Sequence, residues 1–205
     1  IAFSEMLFQN NKSFFVFNDD TQNSSKIAGG LYNPVILKRF SEVWNAQEQL
    51  DLLYPFYKNL EVKLGVTLDY RLPLLRKFYS VEEQNNWFTA SDKPNLAKFL
   101  SPNLISKKWN QIPSPFNFGE VLFSGYVDTS LLLATYKRFL IDHGCYKEES
   151  FDYSKLIVND DFVEYRNVKA KHIVFAEGFG MLSNPFFNKL PLDGTKGELL
   201  LIKAP

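Results

Sequence analysis

The chain has 205 residues, of which 45% are hydrophobic and 22% are charged, a composition that predicts a folded protein of one or two domains and excludes a disordered or fibrous one. Its 23 lysines and arginines balance 23 aspartates and glutamates, so neither nucleic acid nor an anionic membrane is an expected partner. Cys145 is the only cysteine and His143 and His172 are the only histidines, which excludes an intrachain disulfide and argues against a metal centre.

No segment of the sequence is suited to crossing a membrane or to export. The longest apolar runs are only a few residues long, whereas a membrane span needs about 18, and no signal peptide opens the chain. We therefore expect a cytoplasmic protein. Because the chain starts with Ile1 rather than Met and stops directly after an apolar segment, we also expect a fragment of a longer protein.

The predicted elements begin with a helix, an apolar strand and an acid. Residues 1–9 predict a short helix, and the apolar run 13–17 is typical of a strand covered on both faces, as in a parallel sheet. The strand is followed by Asn18 and Asp19. In a dinucleotide-binding fold the second strand ends in an acid that hydrogen-bonds a ribose hydroxyl, and the alternative for Asp19 is an ordinary strand-end turn.

A long helix is predicted over residues 45–64. Asn45 and Glu48 resemble a capping box, and Gly65 stands where helices commonly end. Pro55 lies inside this helix and is expected to kink it, because proline removes one backbone hydrogen bond and clashes with the preceding turn.

The second half of the chain predicts further helices and then strands. A helix begins at Ser80, whose spacing from Glu83 is that of a capping box, and another is predicted over 130–143. The predicted strands are 118–123, 155–158, 162–165, 173–176 and 198–202. An excursion inserted into a nucleotide-binding sheet would produce this order of elements.

Glycines mark two further candidate sites. The adjacent Gly29 and Gly30 allow main-chain N–H groups to approach a phosphate or a ring, or they form an ordinary tight turn. Gly178 follows the strand 173–176 and allows close approach of a ligand or of another backbone, the alternative again being a plain turn. The sequence contains no P-loop, no recognisable catalytic triad and no paired-carboxylate signature.

Together these segments resemble the D-amino-acid oxidase family of FAD-dependent oxidoreductases, which includes glycine and sarcosine oxidases, over nearly the whole chain. GGLYNP and KGELLLIKAP are the most specific stretches. The opening segment, IAFSEMLFQNNKSFFVFNDD, is similar to the first helix and second strand of the family's FAD-binding half, just after its GxGxxG turn. YVDTSLLLATYKRFLIDHG resembles the helix that returns to the cofactor domain, and HIVFAEGFG the strand and turn that close over FAD.

The resemblance implies a mixed α/β fold, with a partial Rossmann-like FAD-binding domain (1–34 and 127–185) and an inserted, partial substrate domain (35–126 and 186–205). It implies no catalytic residue, because the family's substrate-carboxylate arginine lies in strands beyond this chain. It leaves open whether Asn18 or Asp19 meets the ribose. The residues it places at FAD are Asn18, Asp19, Ser25, Ala28, Gly29, Gly30, Leu156, Ile157, Ala176, Glu177 and Gly178.

The implied activity is oxidation of an amino acid or secondary amine by hydride transfer to flavin N5, with FAD as cofactor and a small amine or amino acid as substrate. Alternatives are the flavin module of a tRNA-modifying enzyme and a non-catalytic domain that keeps the fold without the cofactor. Without the GxGxxG turn, we expect the 205-residue chain alone to bind FAD weakly or not at all and to be inactive. An unpaired sheet edge would also favour a homodimer.

Overall fold

The computed structural model describes residues 1–19, 21, 24–106, 112–195 and 197. Helices and strands both contribute, so the predicted mixed α/β class is confirmed. The chain divides into two compact units: the first consists of Ile1–Ala28 and the described residues from Ser130 onward, and the second is Gly29–Thr129. The predicted roles of these parts as FAD-binding and substrate domains stay predictions. Among the described residues, no helix is both long enough and apolar enough to cross a membrane.

The helices and strands alternate irregularly along the chain. In order they are α1 (Ala2–Gln9), β1 (Val16–Asn18), α2 (Ser24–Ile27), β2 (Leu31–Tyr32), β3 (Val35–Ile36), β4 (Ser41–Glu42), α3 (Ala46–Leu64), β5 (Asp69–Arg71), β6 (Leu74–Lys77), α4 (Val81–Ser91), β7 (Phe118–Val121), β8 (Gly125–Val127), α5 (Thr129–Asp142), β9 (Tyr146–Glu148), β10 (Leu156–Val158), β11 (Val163–Tyr165) and β12 (Val168–Ala170). Two 3₁₀ helices, Tyr153–Lys155 and Gly178–Ser183, complete the set.

In the first unit, a parallel strand pair lies beside an antiparallel meander. β1 pairs with β9 in parallel, and β10, β11 and β12 form a three-stranded antiparallel sheet. Helix α1 is tied to α5 by the buried carboxylate of Glu5, whose oxygens accept hydrogen bonds from Gln9 Nε2 at 2.8 Å and from the Tyr136 hydroxyl at 3.1 Å. A buried carboxylate needs such donors. The Gln9 bond lies within α1, and the Tyr136 bond links α1 to α5.

Three strand predictions for this unit differ from the structure. β1 begins at Val16 rather than residue 13, because the parallel partner β9 begins only at Tyr146. The segment 173–176 forms no ladder with any described residue, although its side chains alternate between half-buried and exposed as in an extended strand. The strand predicted over 198–202 lies outside the described residues.

The second unit contains a three-stranded sheet with β8 between β2 and β5. The ring of Tyr32 crosses the central strand, and its hydroxyl donates a 2.6 Å hydrogen bond to Asp69 on the far strand. This crossing requires a glycine at position 125, because a Cβ there would come within 2.6 Å of the Tyr32 hydroxyl. Gly30 is similarly constrained, since it has φ +62° and a Cβ would lie against the carbonyl oxygen of Val127.

The core of the second unit forms around α4 and the antiparallel pair β6–β7. Trp87 is fully buried, donates its indole N–H to the Ser101 carbonyl at 2.9 Å, and packs edge-on against the buried Phe78. Ser80 caps α4 as predicted, accepting a hydrogen bond from the backbone N–H of Glu83 at 3.1 Å. These two aromatic side chains therefore belong to the core.

The ends of α3 differ in how well the sequence predicts them. Gly65 ends the helix in the left-handed conformation that its position predicts. The capping box at Asn45 is wrong, because Asn45 has φ +48° and its side chain makes no capping hydrogen bond. The helix continues through Pro55, which is exposed.

We expect Gly30→Ala to destabilise the second unit more than Gly65→Ala does. Both glycines have positive φ, so both substitutions incur a backbone cost of roughly 1–2 kcal/mol. Only the Cβ at residue 30 meets another backbone, which adds overpacking worth about 1–3 kcal/mol, whereas a Cβ at residue 65 meets nothing within 4 Å. Urea unfolding followed by tryptophan fluorescence measures the free energy of unfolding of both variants. Equal losses of stability would contradict the packing argument.

Candidate functional site

Asn18 and Asp19 stand at the carboxyl end of the parallel pair β1–β9. Asn18 is the last residue of β1, and its Nδ2 donates a 3.1 Å hydrogen bond to the hydroxyl of Tyr146 on β9. Asp19 follows the strand, and its Oδ1 accepts hydrogen bonds from the backbone N–H of Thr21 at 3.0 Å and from its hydroxyl at 2.7 Å. Asn18 thus faces the neighbouring strand, and Asp19 is the residue that places a carboxylate at this strand end.

The Asp19 carboxylate is held in its charged form. The hydrogen bonds from Thr21, together with one from Ser150, lower the pKa of Asp19 below its usual range, because they stabilise the carboxylate and not the protonated acid. An ionised carboxylate accepts hydrogen bonds and donates none. Asp19 therefore suits a ligand that presents hydroxyl or N–H donors.

Glu177 is close to the same region, but its side chain is engaged within the protein. Oε1 accepts a 2.5 Å hydrogen bond from the Tyr153 hydroxyl, and Oε2 accepts one of 2.7 Å from Nδ2 of the fully buried Asn184. Burial, this hydrogen bond and the charges of Glu177 and Asp19 raise the pKa of Tyr153 to about 12. The Tyr153 hydroxyl therefore stays protonated within electrostatic reach of both carboxylates.

Aromatic contacts, rather than a strand ladder, hold the segment 173–177 in place. Phe175 packs edge-on against Phe151, with ring centroids 5.8 Å apart. Phe151 stacks on Tyr165 of β11 at 4.1 Å, and Tyr165 in turn meets Phe17 of β1 at 4.9 Å. This chain of rings holds 173–177 in place although the segment forms no ladder with another described strand.

The structure distributes the remaining predicted FAD residues over both units. Tyr153 hydrogen-bonds Glu177 and lies within electrostatic range of Asp19, and Gly29 and Gly30 belong to the second unit. The other predicted residues belong to the first unit: Ser25 in α2, Ala28 directly after it, the half-buried Leu156 and exposed Ile157 in β10, and the exposed Ala176 and Gly178 on either side of Glu177.

Sequence reasoning missed the residues that hold these carboxylates. Tyr153 is 24 residues from Glu177 in sequence, and no spacing rule connects the two. Asn184 donates a hydrogen bond from Nδ2 to Glu177, and its Oδ1 accepts a 2.9 Å hydrogen bond from the backbone N–H of Phe186. One local feature of the sequence could have indicated the turn that carries Tyr153. Asp152 begins the 3₁₀ helix Tyr153–Lys155 by accepting a hydrogen bond from the backbone N–H of Ser154.

No protein-family model matches the chain, and no solved structure matches it significantly. Across the described part of the chain, no group of three or more His, Cys, Asp and Glu side chains is arranged to hold a metal ion. Function therefore has to be inferred from the site itself.

We expect Tyr153→Phe to loosen the segment around Glu177. The substitution removes a hydrogen bond to a carboxylate, which is worth about 1.5–3 kcal/mol, so the stability of the first unit falls and amide hydrogen exchange over residues 177–184 accelerates. Tyr146→Phe is the matched control, because it removes a neutral 3.1 Å hydrogen bond to the exposed Asn18. Indistinguishable exchange in the two variants would show that the Tyr153 hydroxyl does not hold Glu177.

Proposed function

We propose that this protein is a FAD-dependent oxidoreductase that oxidises an amino acid or a secondary amine. In this proposal the first unit forms part of a Rossmann-like FAD-binding domain, and the second unit is an inserted substrate domain. The observation that carries the proposal is Asp19, an ionised carboxylate directly after a parallel strand that a helix precedes. At this position of a dinucleotide-binding sheet, an acid accepts hydrogen bonds from the ribose hydroxyls.

The surrounding topology supports the same proposal. Helix α1 leads into β1 and helix α5 into β9, so two helix–strand units contribute parallel neighbours to one sheet. In open α/β sheets, ligands bind outside the carboxyl ends of the strands, which is where Asp19 stands. The division of the first unit into two segments that flank the second unit is the order expected of an inserted domain.

The side chains present suit the adenosine end of FAD at Asp19 and not at Glu177. The hydrogen bonds from Thr21 both reach Oδ1 of Asp19, and the carboxylate accepts a third from Ser150, whereas both oxygens of Glu177 are occupied by Tyr153 and Asn184. Gly178 has φ +55° and open space where a Cβ would stand, so its backbone can be approached closely. Residues 177 and 178 would therefore face a cofactor through their main chain.

When bound, FAD supplies the redox step, the acceptance at flavin N5 of a hydride from the carbon next to the substrate nitrogen. The chain's own residues would bind the cofactor and orient it. Asp19 holds its negative charge toward hydroxyl donors, and Tyr153 holds its proton up to about pH 12 and so keeps Glu177 hydrogen-bonded.

We expect the intact gene product to show a flavin absorption band, either as purified or after incubation with FAD. Anaerobic addition of amino acids and secondary amines should bleach the band with the substrate class that the enzyme oxidises. A protein that shows no band even with added FAD would contradict the proposal and leave a non-catalytic domain. Salt-sensitive retention of the protein on tRNA would instead support the flavin module of a tRNA-modifying enzyme.

We expect Asp19→Asn to weaken FAD binding by the intact gene product about tenfold to a hundredfold. The substitution keeps the shape of the side chain and removes the charge, and a hydrogen bond to a charged group is worth about 1.5–3 kcal/mol. Asp142→Asn, an exposed change at the end of α5, is the control and should leave the dissociation constant unchanged. Equal affinities in the two variants, measured by flavin fluorescence, would remove Asp19 from the site.

A further inference from the structure

The three most exposed large apolar side chains in the described part of the chain come from one place. They are Trp44, Val62 and Leu52, which are 79%, 75% and 72% exposed. Leu52 and Val62 belong to α3, and Trp44 stands two residues before its first residue. The opposite face of α3 buries Leu50 and Leu60 in the second unit, so the helix carries apolar residues on its outward face as well as its inward one.

Four of the exposed residues of α3 follow the spacing of a helix that packs on another helix. Leu52, Pro55, Asn59 and Val62 are separated by three, four and three residues, and all four are exposed. At about 100° per residue they fall within a sector of about 80°. We call these four residues the outer stripe. A 3–4 repeat of this kind forms the seam between paired helices. The exposed Glu48, one turn before Leu52 on the same face, and Asn59 are polar residues of this seam, and such residues fix the register at a cost in stability.

Charged side chains on one flank of the outer stripe select the direction of pairing. Asp51 and Lys58 lie on the same flank, two turns apart, and Lys63 lies on the other flank. A two-fold axis perpendicular to two antiparallel helices brings identical flanks together, so Asp51 of each copy faces Lys58 of the other. Parallel pairing brings opposite flanks together and sets Lys58 against Lys63, which is repulsive.

We propose that the outer stripe of α3 is a self-association surface on which a second copy of this chain pairs antiparallel. With the two-fold axis level with residues 53 and 54, Leu52 of one copy packs on Pro55 of the other. Val62 then lies level with the segment at Trp44, so all three exposed apolar side chains are covered. Two helices of 19 residues bury less than the roughly 1,200 Å² of a typical stable complex, so the association is weak and depends on concentration.

The test is a charge exchange measured by sedimentation equilibrium of the intact protein. The wild type should move from monomer toward twice the monomer mass as its concentration rises from about 5 to about 500 µM, a range suited to a weak interface. Asp51→Lys and Lys58→Asp should each raise the dimer dissociation constant by about tenfold, since each places two like-charge pairs across the axis. The double variant has the composition and net charge of the wild type and should recover its association.

The control is Lys38→Asp, an exposed change outside the outer stripe, which should associate like the wild type. Urea unfolding of every variant, followed by far-ultraviolet circular dichroism because Trp44 lies in the proposed interface, identifies any loss of folding. A wild type that stays monomeric, single variants that associate normally, or a double variant that stays weak would each overturn the proposal. Association that all variants share would instead locate the contact on another surface, such as a sheet edge.

Discussion

The pairing of β2 with β8 is the contact on which the chain's organisation depends. The backbone N–H of Val127 donates to the Gly30 carbonyl at 3.0 Å, and Gly30 tolerates the approach because it has no Cβ and has positive φ. Residues about 100 apart in sequence therefore meet, and the second unit begins and ends at neighbouring points. With that loop closed, about 33 residues rather than 130 separate Val16 from Tyr146, which lowers the chain-entropy cost of their pairing by about 1 kcal/mol.

Three carboxylates in the first unit have different roles, and the hydrogen-bond donors around each one determine that role. Glu5 is buried and bonds α1 to α5 through Tyr136, and Glu177 holds a loop through Tyr153 and Asn184. Both use their oxygens inside the protein. Asp19 also accepts hydrogen bonds within the protein, two from Thr21 on Oδ1 and one from Ser150, but of the three it is the one at the carboxyl end of a parallel strand, where ligands bind in open α/β sheets.

The two proposals concern different units and can fail separately. The proposed FAD site consists of Asp19 and the backbone near Gly178 in the first unit, and the proposed self-association surface is the outer stripe of α3 in the second. A change at Asp51 or Lys58 should therefore alter the mass of the protein and not its flavin spectrum. Asp19→Asn should alter the flavin spectrum and leave the mass of the protein unchanged.

Local interactions were predictable from the sequence, and partners distant in sequence were not. The mixed fold class, the cap of α4 at Ser80 and the end of α3 at Gly65 follow from residues within a few positions of one another. The Asn45 capping box failed because the same residue adopts a left-handed backbone. Periodicity shows which side chains are buried but not which strand lies alongside, so the missing ladder at 173–176 and the bond from Tyr153 to Glu177 were decided only by the tertiary structure.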